Sequence, residues 1–277
     1  MRTIAHISDV HFGRIDNRIV EALLTELHAD PPSVMVVSGD LTQRARVEQY
    51  LPAAEFLKRL PGPIIVVPGN HDVPLWNVFR RIFLPLQRYR HYITADLYPE
   101  YRDGEIMVLG VNSARSFTRL SGWLSRDQLA TIRQRFSQAP PEATRILVTH
   151  HPFIPTSKRP EGDVIRRGAS TLLELEEARI DVLLAGHLHL AYHDEVREYH
   201  AGMNRSVISI QAGTATSTRL RGEPNAYNRI TIEHDHVHVS VRAWTGSGFA
   251  QSLATDFRKT DGVWKREPVA SLQSTSS

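Results

Sequence analysis

The feature that most restricts the fold of this chain is a repeated pairing. A short apolar run rich in β-branched residues ends, five times over, in His, Asp or Asn. Ile4–Ser8 runs into Asp9-Val10-His11, Val34–Ser38 into Gly39-Asp40, and Ile64–Pro68 into Gly69-Asn70-His71-Asp72. Ile146–Thr149 is followed by His150-His151-Pro152, and Val182–Ala185 by Gly186-His187-Leu188-His189. Runs of this length read as buried strands, as does Ile106–Val111. Amphipathic stretches lie between them: Arg18–Leu27, Val47–Leu60 with Leu51, Ala54, Phe56, Leu57 and Leu60 on one face, Arg126–Phe136 behind Ser125 as N-cap, and Thr171–Ala178. Periods of 2 and 3.6 in alternation predict a layered α/β domain. In such sheets ligands bind beyond the carboxyl ends of the strands, which is where these polar clusters fall.

The last third reads differently. Val207–Gln211, Arg229–Glu233 and Val237–Arg242 are expected strands, the latter two joined through His234-Asp235-His236 by a tight hairpin. Ala212–Asn228 reads as a long loop rich in Gly, Thr and Arg, and the pattern weakens after Trp244. The expectation is one domain over 1–244, with a C-terminal extension over 245–277 packed on it and a frayed end at Ser271–Ser277.

Composition narrows the chemistry. The 277 residues include no Cys, which excludes disulfides, thiolate metal sites and a Cys nucleophile. Any metal must then be held by His, Asp, Glu or Asn, a donor set that suits Mn²⁺, Fe²⁺/Fe³⁺, Zn²⁺ or Co²⁺. Asp9, His11, Asp40, Asn70, His150, His187 and His189 are too many for one tetrahedral zinc, and about right for two ions with a shared carboxylate. Two ions roughly 3.5–4 Å apart are the arrangement that splits phosphate esters by in-line displacement. Lys and Arg number 33 against 30 Asp and Glu, with no long basic block, so a nucleic-acid polymer is not an expected partner. No apolar run is long enough to span a membrane, and residues 1–8 do not look like a secretory leader, so a cytoplasmic protein is expected.

Asp-x-His, Gly-Asp, Gly-Asn-His-Asp, His and Gly-His-x-His, in that order, resemble the calcineurin-like metallophosphoesterases. Among these the chain looks most similar to the bacterial class III cyclic-nucleotide phosphodiesterases. Gly110-Val111-Asn112-Ser113 and Gly122-Trp123-Leu124-Ser125-Arg126-Asp127-Gln128-Leu129 add to the likeness, which runs from Arg2 to about Trp244. The resemblance implies a four-layer αββα sandwich, with the motif-bearing strands in one sheet and the later strands contributing to a second. It implies that Asp9, His11 and His189 hold one metal, that Asn70, His150 and His187 hold a second, and that Asp40 bridges. It further implies a metal-bridging hydroxide as nucleophile and His71 facing the scissile phosphate, with Asp72 accepting a hydrogen bond from His71 and fixing its tautomer.

Expected substrate contacts are Asn112, His151 and Arg219. His151 adjoins a ligand position without being one, and Arg219 sits in the long loop, where specificity is often carried. Arg115 and Arg221 are similar candidates. His6 is expected in the core, His193 and His200 on surface loops, and His236 and His238 on a solvent-facing strand. The expected reaction is dimetal hydrolysis of a small soluble phosphodiester, such as a cyclic nucleotide or a glycerophosphodiester, with Mn²⁺ or Fe²⁺/Fe³⁺ ahead of Zn²⁺ or Co²⁺. A phosphomonoesterase or nucleotide pyrophosphatase using the same residues is the alternative, and a non-catalytic scaffold a third reading. A homodimer is compatible with the sequence.

Overall fold

The computed structural model describes residues 1–118, 120–158, 160 and 163–267; Ser271–Ser277 lies outside them. In chain order the elements are β1 (Arg2–Ile7), α1 (Asn17–Ala29), β2 (Val34–Val37), α2 (Val47–Arg59), β3 (Ile64–Val66), α3 (Val78–Phe83), α4 (Gln87–Tyr92), β4 (Glu100–Arg102), β5 (Ile106–Gly110) and α5 (Arg126–Phe136). There follow β6 (Thr144–Val148), α6 (Gly168–Glu174), β7 (Val182–Ala185), β8 (Tyr192–Glu195), β9 (Ile208–Gln211), β10 (Ala226–Glu233), β11 (His236–Trp244), β12 (Phe249–Thr260) and β13 (Val263–Glu267).

Two mixed sheets face each other. One has the order β13-β12-β11-β10-β1-β2-β3 and the other β4-β5-β6-β7-β9-β8. Strand alternation explains why the central runs are apolar throughout, since each strand is covered on both faces. Val34 and Val36 point between the sheets with Ile146, Val148 and Leu184. Met35 and Val37 point outward against α1 and α2, packing on Leu23, Leu27 and Phe56. Leu109 and Leu147 meet Leu129, Ile132 and Phe136 of α5 on the far side. The result is the helix–sheet–sheet–helix sandwich.

Local chemistry sets the helix ends. Asp16 caps α1 through the Arg18 amide, and Ser125 and Gln128 form a reciprocal capping box on α5. The buried face of α2 is rotated from the expected one: Tyr50, Ala53, Phe56 and Leu57 face inward and Leu51 is half exposed. Thr171–Ala178 is not one helix but the end of α6 and a separate 3-10 turn, Glu176–Ala178.

The division of strands also differs from expectation. Motif-bearing β1, β2 and β3 lie in one sheet and β6 and β7 in the other, while β10 to β13 return to the first sheet beside β1. The motif loops are therefore contributed by both sheets. Residues 249–267 continue the first sheet as β12 and β13, two strands the weakened pattern hid. Phe257 and Trp264 are buried there, but most outward positions of these two strands are polar, which dilutes the apolar alternation.

His193 is not on a surface loop. It is buried on β8 between the sheets, beside Thr255, and His6 is buried on β1 with Nε2 2.9 Å from Ser38 Oγ. His236 and His238 both reach Asp256 Oδ1, at 2.8 and 2.9 Å. Among the described residues no helix is long and apolar enough to cross a membrane.

Candidate metal centre

The five motif loops meet where the carboxyl ends of β1, β2, β3, β6 and β7 adjoin. Backbone hydrogen bonds stitch them together: Asp9 N donates to Gly39 O, His11 N to Asp40 O, and Gly186 N to His150 O. Asp9, His11, Asp40, His187 and His189 all have left-handed backbones, with φ of 53°, 50°, 53°, 72° and 60°. That conformation costs a non-glycine residue about 1 kcal/mol or more, and it persists where the surrounding structure forces it. Its effect here is to turn each side chain back over the strand ends. Two glycines make the room. A Cβ on Gly69 would lie 2.1 Å from Asp40 Oδ1, and one on Gly186 would lie 1.8 Å from Ser8 Oγ and 2.6 Å from Asp9 Oδ2.

The donors fall into two adjoining groups. In the first, Asp9 Oδ1 lies 3.2 Å from His189 Nε2 and 3.6 Å from His11 Nε2, and the two Nε2 atoms are 3.4 Å apart. In the second, His150 Nε2 lies 3.1 Å from Asn70 Oδ1 and 3.3 Å from His187 Nδ1. Asp40 stands between them, with Oδ2 3.7 Å from His11 Nε2 and Oδ1 3.4 Å from His150 Nε2. All of these residues except Asn70 are buried.

Outer partners fix the imidazoles. His150 Nδ1 donates to the Ser38 carbonyl at 2.8 Å, and His189 Nδ1 meets Thr214 Oγ1 at 2.5 Å. A carbonyl can only accept, so Nδ1 of His150 carries the proton and Nε2 offers a bare lone pair to the cluster. Burial, helped by neighbouring imidazoles, pushes His187 down to about 3, and burial pushes His189 down to about 4, so both are neutral near pH 7. Burial alone would raise Asp9 and Asp40, but the surrounding histidines outweigh it and hold both carboxyls below their ordinary value.

This donor set fits divalent cations. Asp9 Oδ1, which faces His11 and His189, is buried and has no hydrogen-bond partner among the described residues. Ring nitrogens and carboxylate oxygens converge at 3.2–3.7 Å in this buried cluster, a crowding of lone-pair donors that positive charge placed among them would relieve. Ring nitrogens braced from behind by a carbonyl or hydroxyl are the usual setting for metal-ligating histidines.

A family model for the calcineurin-like phosphoesterases matches residues 2–191. The chain belongs to this family. It is similar to a glycerophosphodiester phosphodiesterase of Enterobacter lignolyticus, 28% identical over 200 residues that cover 67% of this chain and 70% of the relative. It is also similar to a probable cyclic nucleotide phosphodiesterase of a Pseudoalteromonas species, 27% identical over 251 residues, or 85% of this chain and 90% of the relative. A purple acid phosphatase from yellow lupin shares the fold, with a TM-score of 0.65 at 11% identity over 91% of this chain; the chain spans 53% of that protein. This calcineurin-like phosphoesterase is thus a metal-dependent phosphoric ester hydrolase, and its two His/Asp clusters can bind metal.

Three sequence expectations need correction. Asp72 does not orient His71. Its carboxylate accepts from the amides of Leu41, Thr42 and Gly69 and from the Thr42 hydroxyl, pinning the Gly39-Asp40 loop to the Gly-Asn-His-Asp loop. The His71 imidazole is held instead by Gln43, whose carbonyl accepts from Nδ1 at 2.8 Å. Nothing in the sequence flags a backbone carbonyl for this task, which is why Gln43 was missed. Ser38 likewise acts through its carbonyl, whereas Thr214 acts through a hydroxyl on a residue 25 positions away from His189 in sequence.

Asn112 is not beside His71. Its Oδ1 accepts from the Ala114 amide, and it borders a separate cavity with Arg115 and Phe117. His151 has no open face for a substrate. It is fully buried, with Nδ1 on Ser113 Oγ at 2.9 Å and its ring 4.6 Å from that of His187. It does bring a ring nitrogen close to those of His150 and His187.

Arg219, by contrast, reaches the site. Its Nη1 lies 3.5 Å from His71 Nε2 and from Gln43 Oε1. A cavity of about 250 Å³ opens beside Asn70 and His71, walled partly by Gln43, Leu75 and Leu120.

Proposed function

We propose that this phosphoesterase hydrolyses a small-molecule phosphodiester, with two divalent cations held where the motif loops meet. Asp9, His11 and His189 hold one, Asn70, His150 and His187 the other, and Asp40 joins them. The observation that carries this reading is the placement of Asp40, whose two carboxylate oxygens face different groups. Oxygen and nitrogen donors without sulfur favour manganese or iron, with zinc or cobalt as substitutes. Bound there, such ions supply Lewis-acid charge and a hydroxide at neutral pH.

The chain's own residues do the rest. With Nδ1 of His71 committed to the Gln43 carbonyl, Nε2 is the atom that exchanges a proton with the substrate. Burial pushes the His71 imidazole below its ordinary value, while Asp40 pulls it up. Arg219 directs its guanidinium to the same spot, where it binds a phosphoryl oxygen and stabilises charge as it builds. Asn70, His71, Gln43, Arg44 and Arg81 line the adjoining cavity of about 250 Å³, which has room for a phosphate and a modest substituent.

The preference for a diester draws on the relatives, which are named as glycerophosphodiester and cyclic nucleotide phosphodiesterases. The test is turnover with Mn²⁺ on 3′,5′- and 2′,3′-cyclic nucleotides, glycerophosphodiesters and nucleotide diphosphate esters, with bis-(p-nitrophenyl) phosphate against p-nitrophenyl phosphate as the reference pair. Faster turnover of the monoester would overturn the diesterase reading.

A further inference from the structure

Beside the catalytic cavity lies an exposed apolar surface built from α3 and the loop after β5. Trp76, Phe79 and Phe83 are 76%, 65% and 66% exposed, and Phe117 is 65% exposed. These side chains form one surface. Phe79 packs on Phe83, Phe83 and Phe117 border the same cavity, and Phe117 packs on Trp123. Arg81 ties the two segments by donating to the carbonyls of Pro74 and Thr118. Leu75 and Leu120 carry the apolar wall into the cavity that holds His71. Exposed aromatics at this density mark a contact site rather than ordinary surface.

The two segments that build the patch carry positive charge only, and Asp163 reaches Ser121 at their edge. No Asp or Glu occurs from Val73 to Ala95 or from Ile106 to Arg126. Arg44 lies over the Trp76 ring, Arg80 sits on α3, and Arg90 borders the cavity with Phe83. Among the described residues none of these three arginines pairs with a carboxylate, although each lies on an accessible part of the surface.

We propose that this face docks on an anionic lipid surface, with the mouth of the catalytic cavity toward the membrane. Protruding Phe, Trp, Ile and Val side chains among arginines are the composition that seats in the interface between headgroups and acyl chains. A second copy of the chain fits less well, because a two-fold contact would set Arg80 and Arg90 against like charges. A single-stranded nucleic acid would use the arginines and rings but gain nothing from Val78 and Ile82.

The test is flotation of the Mn²⁺-loaded protein with phosphatidylglycerol–phosphatidylcholine vesicles and with pure phosphatidylcholine vesicles. Binding to the first and not the second is expected. The double variant Phe79→Glu/Phe83→Glu should weaken that binding at least about tenfold, and Phe117→Ser should weaken it less, both with unchanged hydrolysis of bis-(p-nitrophenyl) phosphate. That soluble-substrate rate shows the variants are folded, and it separates failure of docking from failure of the proposed activity. No binding to anionic vesicles, equal binding to both vesicles, or retained binding in the double variant would overturn the proposal. So would a dimer in sedimentation that the double variant dissociates, or displacement of the vesicles by an oligonucleotide.

Discussion

Arg219 brings Nη1 to 3.5 Å from Nε2 of His71, although 148 residues separate them in sequence. The contact places a fixed positive charge beside the ring nitrogen that faces the cavity. Arg219→Ala should therefore lower kcat about 10²–10³-fold, the loss seen when one preorganised donor to a developing negative charge is removed. Arg219→Lys should recover little, since a point charge cannot reproduce the planar fork. Steady-state kinetics with metal content checked in parallel decides it, and a kcat within a factor of about two of wild type would remove Arg219 from the mechanism.

His71→Ala should keep bound metal and slow turnover by about 10²–10⁴. The ring is anchored through the Gln43 carbonyl and not through the cluster, so its loss leaves the donors of Asp40 and His150 in place. Loss of metal in this variant would show that His71 belongs to the ligand set.

Asp72→Ala should behave as a structural variant. Its carboxylate accepts hydrogen bonds from three amides and one hydroxyl across two loops, so truncation strands several buried donors at about 1–3 kcal/mol each. A fall in melting temperature, with residual activity that keeps the wild-type pH profile, is expected. A shifted pH profile at unchanged stability would instead tie Asp72 to His71.

Acid should destabilise the protein in part through two buried histidines outside the metal centre. Burial pushes His6 down to about 3 and His193 down to about 4, against an ordinary value near 6.5. As pH falls below 6.5 the unfolded chain takes up these protons while the folded chain does not. Stability is therefore lost on acidification, at on the order of 1 kcal/mol per pH unit for each group, until the folded values are reached. Denaturant titrations between pH 7 and 4 should show this slope, and His193→Gln should flatten it. Equal slopes in the two proteins would mean that His193 takes up its proton without unfolding.

Much of the site could be read from the chain because its chemistry is local. Each motif lies just past an apolar run, and the side chains sit where the strand ends put them. A layered α/β domain followed from period, while the four-layer sandwich came from the family resemblance. What escaped the sequence was non-local or lacked side-chain signal. The split of β1–β3 from β6 and β7 depends on which strands pair. β12 and the edge strand β13 bury few residues besides Phe257 and Trp264, so their alternation is faint. Gln43 acts through its backbone, which no residue type announces. The family resemblance implied a bond from His71 to Asp72, but the 3-10 turn at Asn70–Asp72 directs that carboxylate to the amides of Leu41, Thr42 and Gly69.

The central claim is that Asp40 joins two cations. Anomalous diffraction from crystals of the Mn²⁺-loaded protein tests it most directly. Two peaks are expected, roughly 3.5–4 Å apart, one among Asp9, His11 and His189 and one among Asn70, His150 and His187, with an Asp40 oxygen near both. One peak, or two that Asp40 does not touch, would contradict it.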